Sequence, residues 1–257
     1  MFIFSIASLF YRTPKFEKAA RINSIVIYIP AYKEDYVIIN SVKNVLKQKY
    51  HLLNRKKFDI VVIAQHLQTK TLLQLNKLDC IVVEYNVEKS TKVKALQYAI
   101  TKVDQYYDVA LILDADNHLE KDFLHKINNA YSVGYQVIQG HRTAKNFNTR
   151  FAFLDALSEE MNNSIFRKGF NFFNLSASII GSGIAFSNKI FIERINASNA
   201  IAGFDKEIDN EIVSRQEFII YLNDAIIFDE KVQNQQVFEK QRTRWIEAQI
   251  SFAKRFT

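Results

Sequence analysis

The chain has 257 residues, 48% hydrophobic and 24% charged, with only 6 Gly and 2 Pro. That suffices for one large core and leaves too few turn-formers for a flexible linker or a fibrous repeat. A net charge of +7 and a pI near 9.3 suit an anionic partner such as a nucleotide diphosphate or an acidic membrane surface. No Lys/Arg run interleaved with aromatics marks a nucleic-acid module, and the single Cys80 excludes an internal disulfide or a thiolate metal cluster.

Residues 1–11 (MFIFSIASLFY) are apolar and run into Arg12 and Lys15. The segment is too short to span a bilayer, which needs about 20 residues, and it lacks the basic start of a signal peptide. Residues 1–23 therefore read as an apolar arm, either an interfacial helix on a membrane, the preferred reading, or a helix packed on the domain. Residues 24–257 form one domain.

That domain opens with residues 25–29 (IVIYI), a strand that Pro30 is expected to stop. Residues 35–48 place Val37, Ile38, Val42, Val45 and Leu46 at helical spacing. Strands follow at 58–64, 80–84 and 109–113, separated by helices at 67–78 and 92–103. Such alternation predicts an α/β fold, a mostly parallel, Rossmann-like sheet flanked by helices. The second half is less regular and smaller in its elements. A strand is expected at 137–140, a long helix at 150–166, and an apolar strand pair at 179–186 about a Gly181-Ser182-Gly183 turn. A helix at 205–215, short strands at 218–222 and 225–228, and a long amphipathic helix at 236–256 complete the chain. In the last of these, Ile246, Ile250, Phe252 and Phe256 accompany Lys254 and Arg255, a second apolar and basic segment suited to a membrane surface.

Ligands of parallel sheets sit beyond the carboxyl ends of the strands. Two strings fall there: Pro30-Ala31-Tyr32-Lys33-Glu34 after the first strand, and Asp114-Ala115-Asp116-Asn117 after the fourth. Strand alternation points Asp114 and Asp116 to one face, where two like charges repel. A divalent cation between them resolves the conflict, and hard oxygen ligands favour Mg²⁺ or Mn²⁺. A solvated turn capping the next helix is the alternative.

These pieces, in this order, resemble the inverting, membrane-associated glycosyltransferases of GT-A fold in family 2. That group contains cellulose, hyaluronan and chitin synthases, ceramide glucosyltransferase and many bacterial polysaccharide synthases. The matching residues are Pro30 to Glu34, Lys92 with Ala95-Leu96, Asp114 with Asp116, Gly181-Ser182-Gly183, Asp205 after Gly203-Phe204, and Gln241-Arg242-Thr243-Arg244-Trp245. Gln-x-x-Arg-Trp is the most specific. The resemblance implies a hexosyltransferase that moves a sugar from a nucleotide diphosphate sugar, a UDP-sugar above all, to a saccharide or lipid acceptor in polysaccharide or glycolipid synthesis. It implies a nucleotide-sugar half at 24–135 and a mixed acceptor-side half at 136–257. Asp116, helped by Asp114, would reach the metal, while Pro30, Ala31, Tyr32, Glu34, Gln65, Lys92 and Asp114 would hold the donor. Asp205 would be the general base, with Glu207 and Asp209 as nearby substitutes. Gly181, Ser182 and Gly183 with Gln241, Arg242, Arg244 and Trp245 would form the acceptor and diphosphate platform, Trp245 stacking on a sugar and the arginines pairing with phosphate. His118 reads as a polar loop residue.

Two positions depart from the pattern. Acidic residues usual after the second strand are replaced by Ala64-Gln65-His66, and the Gly usual before Lys92 is Thr91. Two other classes stay in view. A non-catalytic relative would act as a binding or assembly subunit, and a sugar nucleotidyltransferase would show a Gly-rich, Arg-containing loop where Pro30 to Glu34 stand. The resemblance also implies the cytoplasmic face of the inner (plasma) membrane and further synthase subunits as partners. Membrane-embedded members continue into transmembrane helices after Gln-x-x-Arg-Trp, whereas this sequence stops soon after it, as expected of a peripheral enzyme or a piece of a longer protein.

Overall fold

The computed structural model describes residues 1–53, 55–200 and 203–253, without the side chains at 244, 245, 248, 249 and 251–253. The expectations placed on the side chains of Arg244, Trp245 and Phe252, and on Lys254, Arg255 and Phe256, fall outside the described residues.

In chain order the elements are α1 (Phe2–Ser8), β1 (Ile25–Tyr32), α2 (Ile38–Val45), the paired strands β2 (His51–Leu52) and β3 (Arg55–Lys56), β4 (Phe58–Gln65), α3 (Thr69–Leu75), β5 (Ile81–Glu84), α4 (Lys92–Ile100) and β6 (Val109–Ile112). Then come β7 (His118–Leu119), α5 (Phe123–Ser132), β8 (Val137–Ala144), α6 (Arg150–Asn162), a π-helical segment (Asn163–Gly169) and α7 (Phe170–Phe172). The chain continues through β9 (Ile184–Ser187), α8 (Asn188–Ala197), α9 (Phe204–Ser214), β10 (Ile219–Asp229) and α10 (Gln235–Ala253). Among the described residues eight strands form one sheet in the order β5-β4-β1-β6-β9-β8-β10-β7, with β9 and β7 antiparallel to their neighbours. The sheet passes from one half of the chain to the other where β6 pairs β9.

The central strands are buried on both faces, which explains their uninterrupted apolar sequences. Ile25, Ile27 and Ile29 enter one core, with Val42 and Val45 of α2, Phe123 and Leu124 of α5. Val26 and Tyr28 enter the other, with Val93 and Leu96 of α4, Phe191 and Ile195 of α8.

Pro30 does not stop β1. The ladder with β4 runs on to Tyr32 opposite Gln65, while the ladder with β6 ends at Tyr28 opposite Ile112. Tyr28 turns its backbone toward β6, accepting from Leu113 N at 3.0 Å. Pro30 faces the same way, one step past the last rung, so its missing N–H forfeits no ladder bond. The two short strands expected at 218–228 are one strand, β10, whose register against β8 breaks between Leu222 and Ile226. The polar Asn223 and Asp224 belong to this bulge, and Asn223 meets His141 Nδ1 at 3.0 Å. Of the strand pair expected at 179–186, only the second member forms. Residues 179–183 are irregular because the buried Gln139 of β8 takes their backbone instead: its Oε1 accepts from Ile180 N at 2.9 Å, and its Nε2 donates to Ser182 O at 3.1 Å. Gly183 has φ 64, and a Cβ there would lie 2.5 Å from Ile227 Cδ1.

The arm packs on the domain. Phe4 of α1 meets the rings of Phe170 at 4.8 Å and Phe173 at 5.8 Å, and Tyr11 OH donates to Tyr221 O at 2.5 Å. Among the described residues no helix is long and apolar enough to cross a membrane.

Candidate active site

Thr91 caps α4, its Oγ1 accepting from Lys94 N at 3.2 Å, and its φ of −119 needs no glycine. The first residue of α4, Lys92, therefore leaves the helix start at the carboxyl edge of the sheet. Its Nζ lies 2.6 Å from Asp114 Oδ1 and 2.7 Å from Gly181 O, and 5.1 Å from the centre of the Phe204 ring. Gly181 in turn touches α9: a Cβ placed on it would lie 3.2 Å from the Phe204 ring and 3.8 Å from Asp205 Cβ. Asp114, Lys92, Gly181 and Asp205 thus form one continuous wall, joining a β6 turn, an α4 start, a loop and the first turn of α9.

Asp114 and Asp116 do not share a strand face. β6 ends at Ile112, and Asn117 N donates back to Asp114 O at 3.1 Å, closing a turn. The two carboxylates separate. Asp114 takes Lys92, with Arg142 at 3.7 Å. Asp116 is held by an amide: Asn117 Nδ2 donates to Asp116 Oδ1 at 3.1 Å and to Asp229 Oδ1 at 2.9 Å. The fully buried Asn117 also accepts through Oδ1 from Asp114 N at 3.3 Å and from Ser182 Oγ. Burial first, then the charges of Asp229 and Asp114, push the Asp116 carboxyl up to about 7, against a partial pull from Arg142.

Behind them lies a buried ionic group. Arg142 Nε binds Glu159 Oε1 at 2.7 Å, and Lys231 Nζ binds Glu159 and, at 2.7 Å, Asp229 Oδ2. Burial works against ionisation of Asp229, yet Arg142 and Lys231 hold its carboxyl below the usual range. Asp229 is thus a fixed anion facing Asp116. An oxygen-ligated divalent cation fits this donor set, because Asp116 is a hard, crowded carboxylate whose carboxyl oxygens, among the described residues, take an amide hydrogen bond and none from a cation. Among the described residues no group of three or more His, Cys, Asp or Glu is arranged to hold a metal by itself, so phosphate oxygens and water would complete such a coordination.

A cleft of about 360 Å³ opens onto Asp116, lined also by Glu34, Val37, Lys231, Asn234 and Val237. A larger hollow of about 460 Å³ lies at the opposite end of the strands, beside Asp108, Gln136 and Ser187, and includes none of these residues. On the other flank, Gln65 ends β4. It is 4% exposed, and its Nε2 has no hydrogen-bond partner among the described residues. Tyr32 stands beside it, half-exposed, edge-on to His66 at 5.6 Å. Lys33 and His66, just past the ends of β1 and β4, both take left-handed backbone at φ 57 and 53.

Other expected residues are engaged elsewhere. Arg242 pairs with Asp155 of α6 at 2.7 Å and lies over Phe238. Gln241 Oε1 is buried with no partner among the described residues. Glu207 accepts from Ser198 Oγ at 2.6 Å and Asp209 from Ser178 Oγ at 2.7 Å, which leaves Asp205 against the Gly181 loop. His118 is a strand residue, opposite Phe228 in the β7–β10 pair. Sequence reading missed Asn117, Gln139, Arg142, Glu159, Asp229 and Lys231. Arg142 and Asp229 had a usable signal: each is a charge at the carboxyl end of an apolar strand, as Asp114 is.

The sequence model of the family described as "Glycosyltransferase like family 2" matches residues 23–248. Comparison with curated proteins returns no match. Among solved structures, the mannosyltransferase PcManGT from Pyrobaculum calidifontis, in complex with GDP-Man and Mn²⁺, is similar with a TM-score of 0.69 at 15% identity, over 99% of this chain and 71% of that one. TarS of S. aureus is similar with a TM-score of 0.56 at 13% identity, over 87% of this chain and 39% of that one. The architecture they share with this chain is the GT-A fold.

Proposed function

We propose that this chain, which belongs to glycosyltransferase-like family 2 and is a glycosyltransferase, moves a sugar from a UDP-sugar to a saccharide or lipid acceptor with inversion. The continuous wall from Asp114 through Lys92 and Gly181 to Asp205 carries this reading. It sets donor-side carboxylates and a candidate base on either side of one loop.

Gln65 Nε2 is a buried donor in want of an acceptor, and a carbonyl of the nucleobase supplies one. The exposed ring of Tyr32 offers a stacking face beside it. Mg²⁺ or Mn²⁺ at Asp116 would stabilise charge on the leaving diphosphate. Lys92 neutralises Asp114 and fixes the Gly181 carbonyl, so the loop keeps its distance from α9. Asp205 takes the proton of the acceptor hydroxyl as its oxygen bonds to the anomeric carbon and the bond to the diphosphate breaks on the opposite face. One displacement inverts the centre, so an α-linked donor gives a β-linked product.

Calorimetric titration with UDP and with GDP, each with and without Mn²⁺, tests the donor site. UDP with Mn²⁺ should bind more tightly, and Asp116→Asn should erase the metal dependence while the fold stays intact. Asp205→Asn should keep donor binding and lower turnover by roughly 10²–10⁴-fold. Metal-independent binding in the parent chain sinks the site assignment; a retained anomeric configuration by NMR sinks the inverting mechanism.

A further inference from the structure

We infer that Lys145 is a binding residue for the donor's diphosphate, set beside the candidate metal ligand Asp116; the inference rests on the donor-site reading and extends it by one residue. Lys145 is the first residue past β8. β8 runs antiparallel to β9, and β9 antiparallel to β6, so Lys145 leaves the sheet at the same edge as Asp114 and Asp116. Its backbone is fixed there, Lys145 N donating to Asp229 O at 2.8 Å. The next residue tightens the same seam. Asn146 Oδ1 accepts from Lys231 N at 2.7 Å, and Asn146 Nδ2 donates to Lys231 O at 3.2 Å. Lys231 is part of the cleft wall, so the root of the Lys145 side chain is held against that wall.

The ammonium reaches the carboxylate turn. Lys145 Nζ donates to Asp116 O at 3.0 Å. That bond uses one of the three hydrogens an ammonium carries, and its acceptor is a neutral carbonyl. The neighbouring cations are already committed. Lys92 is spent on Asp114 and the Gly181 carbonyl, Arg142 on Glu159, and Lys231 on Glu159 and Asp229. Beside these, Lys145 has no carboxylate partner among the described residues. It is half-buried, and a charge drawn partly out of water is costly until an anion answers it.

A phosphate group is such an anion. One held through a metal on Asp116 is a neighbour of an ammonium tethered to the backbone of that same residue. The remaining N–H groups and the full charge suit phosphate oxygens. Charge balance asks for this cation. Asp114, Asp116, Asp229 and Glu159 stand at or behind the turn, against Lys92, Arg142 and Lys231. An incoming diphosphate therefore faces an excess of carboxylates, and Lys145 offsets it together with the metal. Charge that grows on the diphosphate as its bond to the sugar breaks meets a cation already in place. The competing role for the same bond is to keep the Asp116 turn in shape, which needs a hydrogen bond but no charge.

Titration of the full chain with inorganic pyrophosphate and with UDP, each with Mn²⁺, and with uridine followed by NMR, separates the two. Lys145→Met should weaken pyrophosphate and UDP by roughly tenfold or more and leave uridine unchanged. Lys145→Arg should recover most of the loss. Lys145→Gln, which keeps an N–H donor but no charge, should not. Added salt should narrow the gap between the parent and Lys145→Met. Circular dichroism of each variant should match the parent's. The inference is overturned if Lys145→Met binds pyrophosphate and UDP as the parent does, or if Lys145→Gln recovers the loss. Equal weakening of uridine and UDP overturns it too, because Lys145 then serves only the shape of the turn. If the parent binds pyrophosphate with Mn²⁺ through Lys145 but does not bind UDP, the nucleotide reading fails and the role of the lysine stands. If UDP with Mn²⁺ binds and every Lys145 variant matches the parent, the role of the lysine alone fails; if the parent binds neither ligand, both fall.

Discussion

Asn117 does more for the cleft than either aspartate does alone. Both its amide hydrogens go to carboxylates, Asp116 and Asp229, and its oxygen accepts from Asp114 N and Ser182 Oγ. Asn117→Ala leaves two buried carboxylates facing each other and a hydroxyl without its acceptor. A loss of about 2–4 kcal/mol is expected in urea unfolding, together with weaker metal-dependent nucleotide binding; a cost within about 0.5 kcal/mol, the range of an ordinary surface change, would refute the role. Asp114 and Asp116 were legible in the sequence because they follow an apolar run. Their division of labour was not, because it depends on Lys92, 22 residues upstream of Asp114, and on Asp229, 112 residues downstream of Asn117. A second residue-scale prediction concerns acid. Burial raises the Glu160 carboxyl, but the hydrogen bond and charge of His141 outweigh it and hold it at about 2 against an ordinary 4.5. Between those values the folded chain binds fewer protons than the unfolded one, so this contribution is full above about 4.5 and disappears as pH falls toward 2. The stability difference between the parent and Glu160→Gln should shrink across that window; a constant difference would count against it.

Elements were legible where one local signal ruled and illegible where a distant side chain did. The alternation of β1, β4, β5 and β6 with α2, α3 and α4 was plain in the apolar periodicity, since each strand is buried on both faces. Pro30 misled because its position in the ladder, beyond the last β6 rung, is a property of the neighbouring strand. The irregular 179–183 segment looked like a strand because Gln139, which takes its backbone, sits 41 residues before Ile180. The π-helical segment also meets a distant part of the chain: its last residue, Gly169, lies under the α1 backbone. Gly169→Ala should force α1 off its seat, because the atom in the way is a main-chain carbonyl that cannot rotate aside. Limited proteolysis should then cut within residues 1–11, and thermal stability should fall by about 1–3 kcal/mol. Unchanged protection of the arm would show that the contact is dispensable.

At the scale of the whole molecule, the α/β class followed from the order of elements, but the meeting of the two halves did not. Lys92 reaches Gly181 across 89 residues, Ser182 reaches Asp114 across 68, and β6 pairs β9 within a single sheet. The cleft beside them is also built from both halves, from Glu34, Val37 and Asp116 of one and Lys231, Asn234 and Val237 of the other, and a ligand that engages Asp116 and the Gly181 loop together ties one to the other. A ligand that binds only this folded arrangement stabilises it by mass action, about 2.7 kcal/mol at a concentration 100 times its Kd. For a domain of this size each kcal/mol moves the melting temperature by about 2–4 °C, so UDP with Mn²⁺ should raise it by about 5–10 °C. UDP alone should do much less if charge between diphosphate and the Asp116–Asp229 pair goes unanswered. Asp116→Asn should abolish the metal-dependent part, whereas Asp205→Asn, which removes no donor contact, should keep it whole. A shift lost in both variants would mean that Asp205 belongs to the donor site and is not the base; a shift lost in neither would mean that the nucleotide binds away from the cleft.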